Sequence, residues 1–173
     1  MRIIENFITE EFISEVVTMN KELLYENVWK SNLGWQDSII SPSGVVLIRD
    51  LNEQQVNLLK AYITEKLLPS VDDKIIELEA QAYVWHNLSF IPWHSDKEEE
   101  DQTRYAATLF LNQEWQADWG GLFLYKIDEK IYGEAPAYNK LVFNDNNYAH
   151  ATSMLAVNAP FRQTVQLFWK IGK

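Results

Sequence analysis

A histidine and an aspartate separated by one residue, His94-Ser95-Asp96, are the residues of this sequence best suited to carry chemistry. One imidazole and one carboxylate suit ferrous iron, which accepts mixed nitrogen and oxygen ligands. On a β-strand, side chains at positions i and i+2 project from the same face, so His94 and Asp96 would point together and Ser95 away. A second histidine would complete the facial triad of a mononuclear non-haem iron site, which leaves coordination positions open. The pair therefore predicts a metal site that needs one further ligand.

The two remaining histidines, His150 and His86, are both candidates for that ligand. His150 follows the polar turn 144–147 and opens a predicted strand, a position from which its side chain would enter the mouth of a barrel. His86 lies eight residues before His94 on the preceding predicted strand. It is equally well explained as a residue that contacts substrate or supports the site, or as a plain structural histidine.

Arg162 strengthens the prediction, because a His-x-Asp pair taken alone is common by chance. It lies 12 residues after His150, just beyond the turn Ala159-Pro160. A hairpin at that turn would return Arg162 beside the strand that His150 opens. If it points into a barrel, its guanidinium offers a bidentate fork for a carboxylate. Composition alone equally allows a surface arginine at the start of a strand.

Composition and charge argue against several classes of protein. The chain has 173 residues, 47% of them hydrophobic, and a net charge of −10 at pH 7. Nucleic-acid-binding proteins present clustered Lys and Arg to the phosphate backbone, so this charge argues against nucleic acid as a partner. The absence of cysteine excludes disulfides and thiolate metal sites. No apolar run reaches the ~20 residues of a transmembrane helix, and residues 1–15 lack the apolar region of a signal peptide. We therefore expect a soluble, cytoplasmic protein with no membrane partner.

Local signals predict two helices followed by a series of strands. Thr9 is expected to cap the first helix, and Asn52 the second, with Gln55 at the capping-box position. From Lys74 onward the apolar period changes from that of a helix to the alternation of a strand. Seven or eight short strands follow, which is typical of a barrel or sandwich with helices on one side.

The fold class expected from this order is α+β and mainly β, in a single domain that spans residues 1–173. Its helical N-terminal support covers about residues 1–73 and its barrel core about residues 74–173. The segment 27–43 is expected to be irregular, since Asn, Gly and Pro punctuate it. The acidic loop 97–102 is expected to be solvated, with a mobile lid over the predicted metal site as the alternative.

The order of the motifs resembles the prolyl 4-hydroxylase-like branch of the 2-oxoglutarate/Fe(II)-dependent dioxygenases. The resemblance covers about Lys74 to Lys170 and depends on the spacing of motifs across that whole range. These motifs are His94-Ser95-Asp96, Ala107 to Trp115, Gly120-Gly121-Leu122, Asn139 to Phe143, His150 and Arg162. The fold that the resemblance implies is a double-stranded β-helix, the jelly-roll or cupin-like barrel, flanked by the N-terminal helices.

The resemblance also implies roles for individual residues. The residues that would hold Fe(II) are His94, Asp96 and His150. Arg162 would pair with the distal carboxylate of 2-oxoglutarate, and Tyr83, on the strand before the His-x-Asp motif, would bond the same carboxylate. Thr108 is a further candidate for contact with this co-substrate. The chain departs from the family pattern at Phe110, where some prolyl hydroxylases have tyrosine, and in the segment 85–87, which lacks the glycine common there.

The activity implied by the resemblance is hydroxylation of an unactivated C–H bond, driven by O2 and by conversion of 2-oxoglutarate to succinate and CO2. Ascorbate is a candidate reductant for such an enzyme. The substrate implied is a prolyl residue in a peptide or protein, with a free amino acid or another small molecule as the alternative. A non-enzymatic, cupin-like metal-binding module is the competing hypothesis from a different class.

Overall fold

A computed structural model describes residues 1–26, 46–68, 70, 72–96 and 104–172 of the chain. The predictions for the irregular segment 27–43 and for the acidic loop 97–102 therefore lie outside the described residues. The described α-helices and strands, in chain order, are β1 (Arg2–Ile4), α1 (Glu10–Glu26), β2 (Val46–Asp50), α2 (Glu53–Lys66), β3 (Lys74–Trp85), β4 (Ile91–His94), β5 (Arg104–Phe110), β6 (Phe123–Ile127), β7 (Lys130–Glu134), β8 (Leu141–Asn144), β9 (His150–Thr152) and β10 (Arg162–Gly172), and a short 3-10 helix, Ala117–Trp119, precedes β6.

The described strands form two antiparallel sheets. The larger has the strand order β1-β8-β5-β10-β3-β2, and the smaller has the order β4-β9-β6-β7. Their interior faces share an apolar cluster, to which Phe110 and Val142 come from the larger sheet and Phe123 and Tyr125 from the smaller. The mainly β architecture expected from the sequence is therefore confirmed.

The two α-helices cover the outer face of the larger sheet, where the alternating pattern of β3 places small apolar residues. Ala80 and Ala82 of β3 belong to the same buried cluster as Phe12 of α1 and Leu59 and Ile63 of α2. Burying these side chains fully stabilises the fold by about 1.5–3 kcal/mol for each large residue. The helices thus brace β3 and β10, the long strands that carry the interior residues described below.

The first 73 residues also contribute strands to this sheet. Ile3 of β1 lies opposite Val142 of β8, and Ile48 of β2 lies opposite Tyr83 of β3. Both strands sit at edges of the larger sheet. The N-terminal part of the chain therefore extends the barrel wall in addition to supporting it.

None of the described helices is long and apolar enough to cross a membrane.

The capping box predicted at Asn52 is present. The Asn52 side chain accepts a bond from the Gln55 backbone N–H at 2.9 Å, and the Gln55 side chain accepts one from the Asn52 backbone N–H at 3.1 Å. We expect Asn52→Ala to lower the free energy of unfolding by about 1 kcal/mol, because it leaves an N-terminal backbone donor of α2 without its partner. Equilibrium unfolding in urea measures this change.

Asn57 provides the matched control, since it is exposed in the interior of the same helix. Alanine has the higher helix propensity there, so Asn57→Ala should stabilise α2 slightly. Equal changes of stability in the two variants would show that the Asn52 cap does not stabilise the helix.

Candidate metal centre

Three ligand-type side chains converge at one end of the smaller sheet. His94 ends β4, His150 begins β9, and the two residues lie directly opposite each other in the antiparallel pair. Their ring centroids are 4.2 Å apart. One Asp96 carboxylate oxygen lies 3.7 Å from His94 Nε2 and the other lies 3.2 Å from His150 Nε2. The ligand atoms of all three residues lie within 4.8 Å of one another.

The route by which Asp96 reaches this cluster differs from the expectation. The sequence predicts one strand that carries both His94 and Asp96, but β4 ends at His94 and Asp96 lies in a bend two residues later. The β4–β9 pairing is already irregular between Ile91 and His94, so the backbone leaves the sheet at this point. The side chains still converge as predicted, while Trp93 is 45% exposed and faces away from the cluster.

Backbone carbonyl groups orient both imidazoles. His94 Nδ1 lies 2.8 Å from the Pro92 carbonyl oxygen, and His150 Nδ1 lies 3.1 Å from that of Tyr148. A carbonyl oxygen can only accept, so each Nδ1 carries a hydrogen, and in the neutral imidazole Nε2 keeps its lone pair. Both lone pairs are therefore available on the side that faces Asp96, as a metal site requires.

The environment of His94 favours the neutral imidazole. Burial lowers the pKa of His94 below its ordinary value, the neighbouring His150 lowers it further, and Asp96 opposes the shift. A histidine must be neutral to bind a metal ion, so a lowered pKa reduces the competition from protons. The donor set and its protonation therefore fit a divalent metal ion.

A pocket opens beside the three side chains and is lined by both sheets. Its lining combines apolar side chains with threonine and amide side chains and with the three ligand-type residues themselves. The lining residues are Ile91, His94, Asp96, Ala106, Ala107, Thr108, Phe123, Val142, Asn144, His150, Thr152, Gln166 and Phe168. A cleft in which apolar walls meet convergent polar groups is typical of a site that binds a small molecule.

Arg162 lies on the same face of β10 as the pocket residues Gln166 and Phe168. It begins β10 opposite Trp85 and is 1% exposed. Its Cζ lies 5.1 Å from the centre of the Phe110 ring, and its Nε and Nη1 are buried without a hydrogen-bond partner among the described residues. Burial lowers the pKa of Arg162 to about 9, so the guanidinium is still charged at neutral pH. A buried cation without a partner is costly, and it can be satisfied by an anion that enters the barrel.

Tyr83 shares the interior face with Arg162. It lies opposite Thr164, two residues from Arg162 along β10, and is 1% exposed. Directly opposed residues of an antiparallel pair project to the same side of the sheet. The Tyr83 hydroxyl donates to Gln81 Oε1 at 3.2 Å. Tyr83 therefore lies on the interior face of β3, on the same side of the sheet as Arg162.

Thr108 lines the pocket and is bonded to a residue that the sequence analysis missed. Its hydroxyl donates to Gln166 Oε1 at 2.9 Å, and Gln166 Nε2 donates to the Thr164 hydroxyl oxygen at 3.3 Å. Gln166 follows Arg162 by four residues on β10, so the alternation of that strand placed it on the interior face. The alternation of β10 would therefore predict that Gln166 faces the interior, if Arg162 faces the interior.

His86 takes no part in the cluster. It stacks on Phe161 with ring centroids 4.4 Å apart, and burial lowers its pKa. Among the described residues, the group whose ligand atoms meet comprises His94, Asp96 and His150. The geometry thus favours His150 as the third ligand, and His86 packs against the residue that precedes Arg162.

Gly121 makes room for the Arg162 side chain. A Cβ at this position would lie 3.2 Å from Arg162 Cδ and 3.0 Å from Trp115 Cζ2, and its φ of +64° disfavours any L side chain. We expect Gly121→Ala to cost about 1–2 kcal/mol of stability from the left-handed backbone alone. The added methyl group should also displace Arg162 and weaken binding of an anion there. Urea unfolding and titration with 2-oxoglutarate measure the two effects.

Gly133→Ala is the control for this change. Gly133 lies on the exposed strand β7, and a Cβ there would approach only the flexible ends of the Leu124 and Leu122 side chains. Stability and anion binding should be almost unaffected. If Gly121→Ala behaved in the same way, the fit between Gly121 and Arg162 would be irrelevant to binding.

Comparison with known proteins agrees with this geometry. The family model of the 2OG-Fe(II) oxygenase superfamily matches residues 78–169, more than half of the chain. No match to the sequence is found among the curated proteins.

Several solved structures have a similar fold at low sequence identity. A prolyl-4-hydroxylase from Pseudomonas putida superposes with a TM-score of 0.73 and 14% identity, covering 98% of this chain and 91% of its own. A prolyl hydroxylase from Trichoplax adhaerens, in complex with a peptide fragment of the hypoxia inducible factor oxygen degradation domain, gives a TM-score of 0.75 and 16% identity, with 98% and 82% covered. HygX from Streptomyces hygroscopicus, with nickel, 2-oxoglutarate and hygromycin B bound, superposes with a TM-score of 0.66 and 9% identity. The match covers 97% of this chain and 81% of HygX.

These likenesses confirm the double-stranded β-helix fold, and the family model extends over β3 to β10, which carry the convergent side chains and Arg162. The chain belongs to the 2OG-Fe(II) oxygenase superfamily, whose members use Fe(II), 2-oxoglutarate and O2.

Proposed function

We propose that this protein is an Fe(II)- and 2-oxoglutarate-dependent dioxygenase that hydroxylates an unactivated C–H bond and releases succinate and CO2. The observation that carries the proposal is Arg162, a fully buried guanidinium whose Nε and Nη1 have no hydrogen-bond partner among the described residues, in the same barrel as the His-Asp-His cluster. A metal-binding module without a co-substrate has no use for such a cation. The arginine therefore favours the enzyme over a non-enzymatic cupin-like module.

His94, Asp96 and His150 are the residues that would hold Fe(II). They offer two imidazole nitrogens and one carboxylate, the facial triad of non-haem iron oxygenases. The side chains are 13%, 14% and 8% exposed, so the site is mostly buried but still accessible from solvent. The carbonyls of Pro92 and Tyr148 hold the imidazoles in the tautomer that presents Nε2.

Arg162 is the residue that would bind the distal carboxylate of 2-oxoglutarate. A guanidinium can bond a carboxylate through two parallel N–H groups, which fixes its orientation as well as its position. Tyr83 would add a hydroxyl to the same end, and Thr108, through Gln166, would border the chain of the co-substrate. The Phe110 ring supports the guanidinium by a cation–π contact in place of the hydroxyl that some relatives have there.

With iron and 2-oxoglutarate bound, the metal supplies the activation of O2 that hydroxylation of an unactivated C–H bond needs. The protein contributes binding, orientation and exclusion of water. The apolar side chains of Ile91, Phe123, Val142 and Phe168 line the pocket between the sheets. They would limit the access of bulk water to the reacting groups while Arg162 and the ligand cluster fix the co-substrate at its two ends.

The helices and the barrel would act as a single catalytic domain, since Phe12, Leu59 and Ala82 share one buried cluster.

The substrate that we propose first is a prolyl residue in a peptide or protein, because the structural likeness to two prolyl hydroxylases is high over nearly the whole chain. The same fold also serves HygX, whose structure contains hygromycin B. A free amino acid or another small molecule is therefore the alternative, and neither nucleic acid nor a membrane is expected as a partner.

Substrate-stimulated formation of succinate tests the proposal. The protein with Fe(II), 2-oxoglutarate, O2 and ascorbate is incubated with proline-containing peptides, free amino acids and small metabolites, and succinate and the hydroxylated product are quantified together. Equimolar succinate and hydroxyproline with a peptide would support the prolyl assignment. Coupled turnover with a free amino acid would move the substrate to the alternative class, and absence of succinate with every compound would argue against the enzyme.

A further inference from the structure

Two buried asparagines, Asn112 and Asn144, bond backbone groups that adjoin residues of the proposed site. Each lies where a strand pair ends and the regular backbone ladder no longer supplies partners. We propose that Asn144 positions His150 and that Asn112 positions Arg162, each independently of the other. The inference rests on the proposed function. It assigns Asn144 to the metal ligands and Asn112 to the residue that would bind 2-oxoglutarate.

Asn144 fixes the peptide group that orients His150. It is the last residue of β8 and is 3% exposed. Its Nδ2 donates to the Tyr148 carbonyl at 2.9 Å, and its Oδ1 accepts from the Tyr148 backbone N–H at 2.9 Å. The same carbonyl oxygen lies 3.1 Å from His150 Nδ1. Asn144 therefore fixes the Tyr148 carbonyl, which in turn orients the His150 imidazole.

The effect of Asn144 on His150 passes through Tyr148. Asn144 Nδ2 also lies 3.4 Å from His150 Nδ1, but both nitrogens carry hydrogens when Nε2 is free to bind a metal. That contact is then not a hydrogen bond.

Asn112 holds the backbone on both sides of Arg162. Its Nδ2 donates to the Phe161 carbonyl at 2.9 Å, and its Oδ1 accepts from the Gln163 backbone N–H at 2.7 Å. The register between β5 and β10 ends at the pair Phe110–Thr164. The Asn112 side chain thus replaces the backbone hydrogen bonds that the next β5–β10 residue pair would make. It thereby fixes the backbone from which the Arg162 side chain projects.

A third asparagine, Asn139, is a control that distinguishes positioning of the site from general stabilisation of the fold. Asn139 is 4% exposed, donates to the Ile8 carbonyl at 2.6 Å and accepts from the Ile8 backbone N–H at 2.9 Å. It makes the same pair of bonds, but to a segment that adjoins neither His150 nor Arg162. Its φ of +57° makes alanine strained there, so Asn139→Ala should destabilise the fold at least as much as the other two variants.

The experiment uses the full chain with Asn144→Ala, Asn112→Ala and Asn139→Ala. Calorimetric titration gives the Kd for Mn(II) alone and the Kd for 2-oxoglutarate at saturating Mn(II), and thermal unfolding gives the stability. We expect Asn144→Ala to raise the Kd for Mn(II) about 10- to 100-fold, the effect typical of residues that orient a metal ligand. We expect Asn112→Ala to leave that constant unchanged and to raise the Kd for 2-oxoglutarate about tenfold through lost preorganisation. Asn139→Ala should lower only the unfolding temperature.

The inference is overturned if Asn144→Ala and Asn139→Ala bind Mn(II) equally well, or if Asn112→Ala leaves the Kd for 2-oxoglutarate unchanged. Wild-type protein that binds neither Mn(II) nor 2-oxoglutarate would instead refute the proposed function, and the positioning roles with it. If an alanine variant does not fold, the serine variant takes its place with the same expectation, because its hydroxyl is too short to bond both backbone groups.

Discussion

Arg162→Met is expected to make the metal-free protein more stable and to weaken its binding of 2-oxoglutarate. Methionine has a similar length but no charge, so it fills the space without an unpartnered guanidinium beside Phe110. The gain should be about 1–4 kcal/mol, by analogy with the range found when buried ion pairs are replaced by apolar residues of similar volume. The Kd for 2-oxoglutarate should rise about 30-fold or more, since removing one partner of a buried charge pair costs about 2–5 kcal/mol. Urea unfolding and calorimetry measure the two changes.

Lys140 provides a control with the opposite expected sign. Its ammonium lies 5.9 Å from the centre of the same Phe110 ring, is 7% exposed, and pairs with Glu134 at 3.1 Å. Lys140→Met therefore removes a cation that already has a partner and should destabilise the protein. Arg162→Met with lower stability and unweakened binding of 2-oxoglutarate would contradict the role of Arg162 in binding the anion.

His150→Ala is expected to abolish tight metal binding, and His86→Ala is expected to leave it intact. His150 Nε2 lies 3.2 Å from an Asp96 oxygen, whereas His86 stacks on Phe161 outside the ligand cluster. Loss of a direct ligand should weaken Fe(II) binding by more than the roughly 10- to 100-fold typical of residues that only orient a ligand. Anaerobic titration of Fe(II) into each folded variant measures the affinity.

The contrast between the two histidines also tests the origin of any activity that is found. Turnover should disappear with His150→Ala and persist with His86→Ala. If the two variants lost Fe(II) equally, or if His86→Ala alone lost it, the ligand set would have to be reassigned.

Much of the fold could be predicted because its signals are local. Thr9 accepts a bond from the Phe12 backbone N–H at 3.4 Å, and Asn52 and Gln55 form the expected box. The change of period at Lys74 coincides with the start of β3. Caps and strand alternation depend on neighbours within a few residues, so the sequence contains what is needed to predict them.

The features of the site that depend on three-dimensional packing could not be predicted in the same way. The exit of Asp96 from the strand follows from the irregular β4–β9 register. The absence of a partner for Arg162 Nε and Nη1 among the described residues, and the contact of Gln166 with Thr108, depend on residues far apart in the chain. The sequence also left His86 and His150 as rivals, because their distance from Asp96 is decided only when β4 pairs with β9.

Anaerobic absorption spectroscopy tests the central claim most directly. Fe(II) chelated by 2-oxoglutarate at a site of two histidines and one carboxylate gives a visible charge-transfer band. We predict this band for the wild-type protein, its loss in His150→Ala through loss of iron, and a much higher 2-oxoglutarate requirement for it in Arg162→Met. A wild-type protein that remains folded in the presence of Fe(II) and 2-oxoglutarate and shows no band would contradict the assignment.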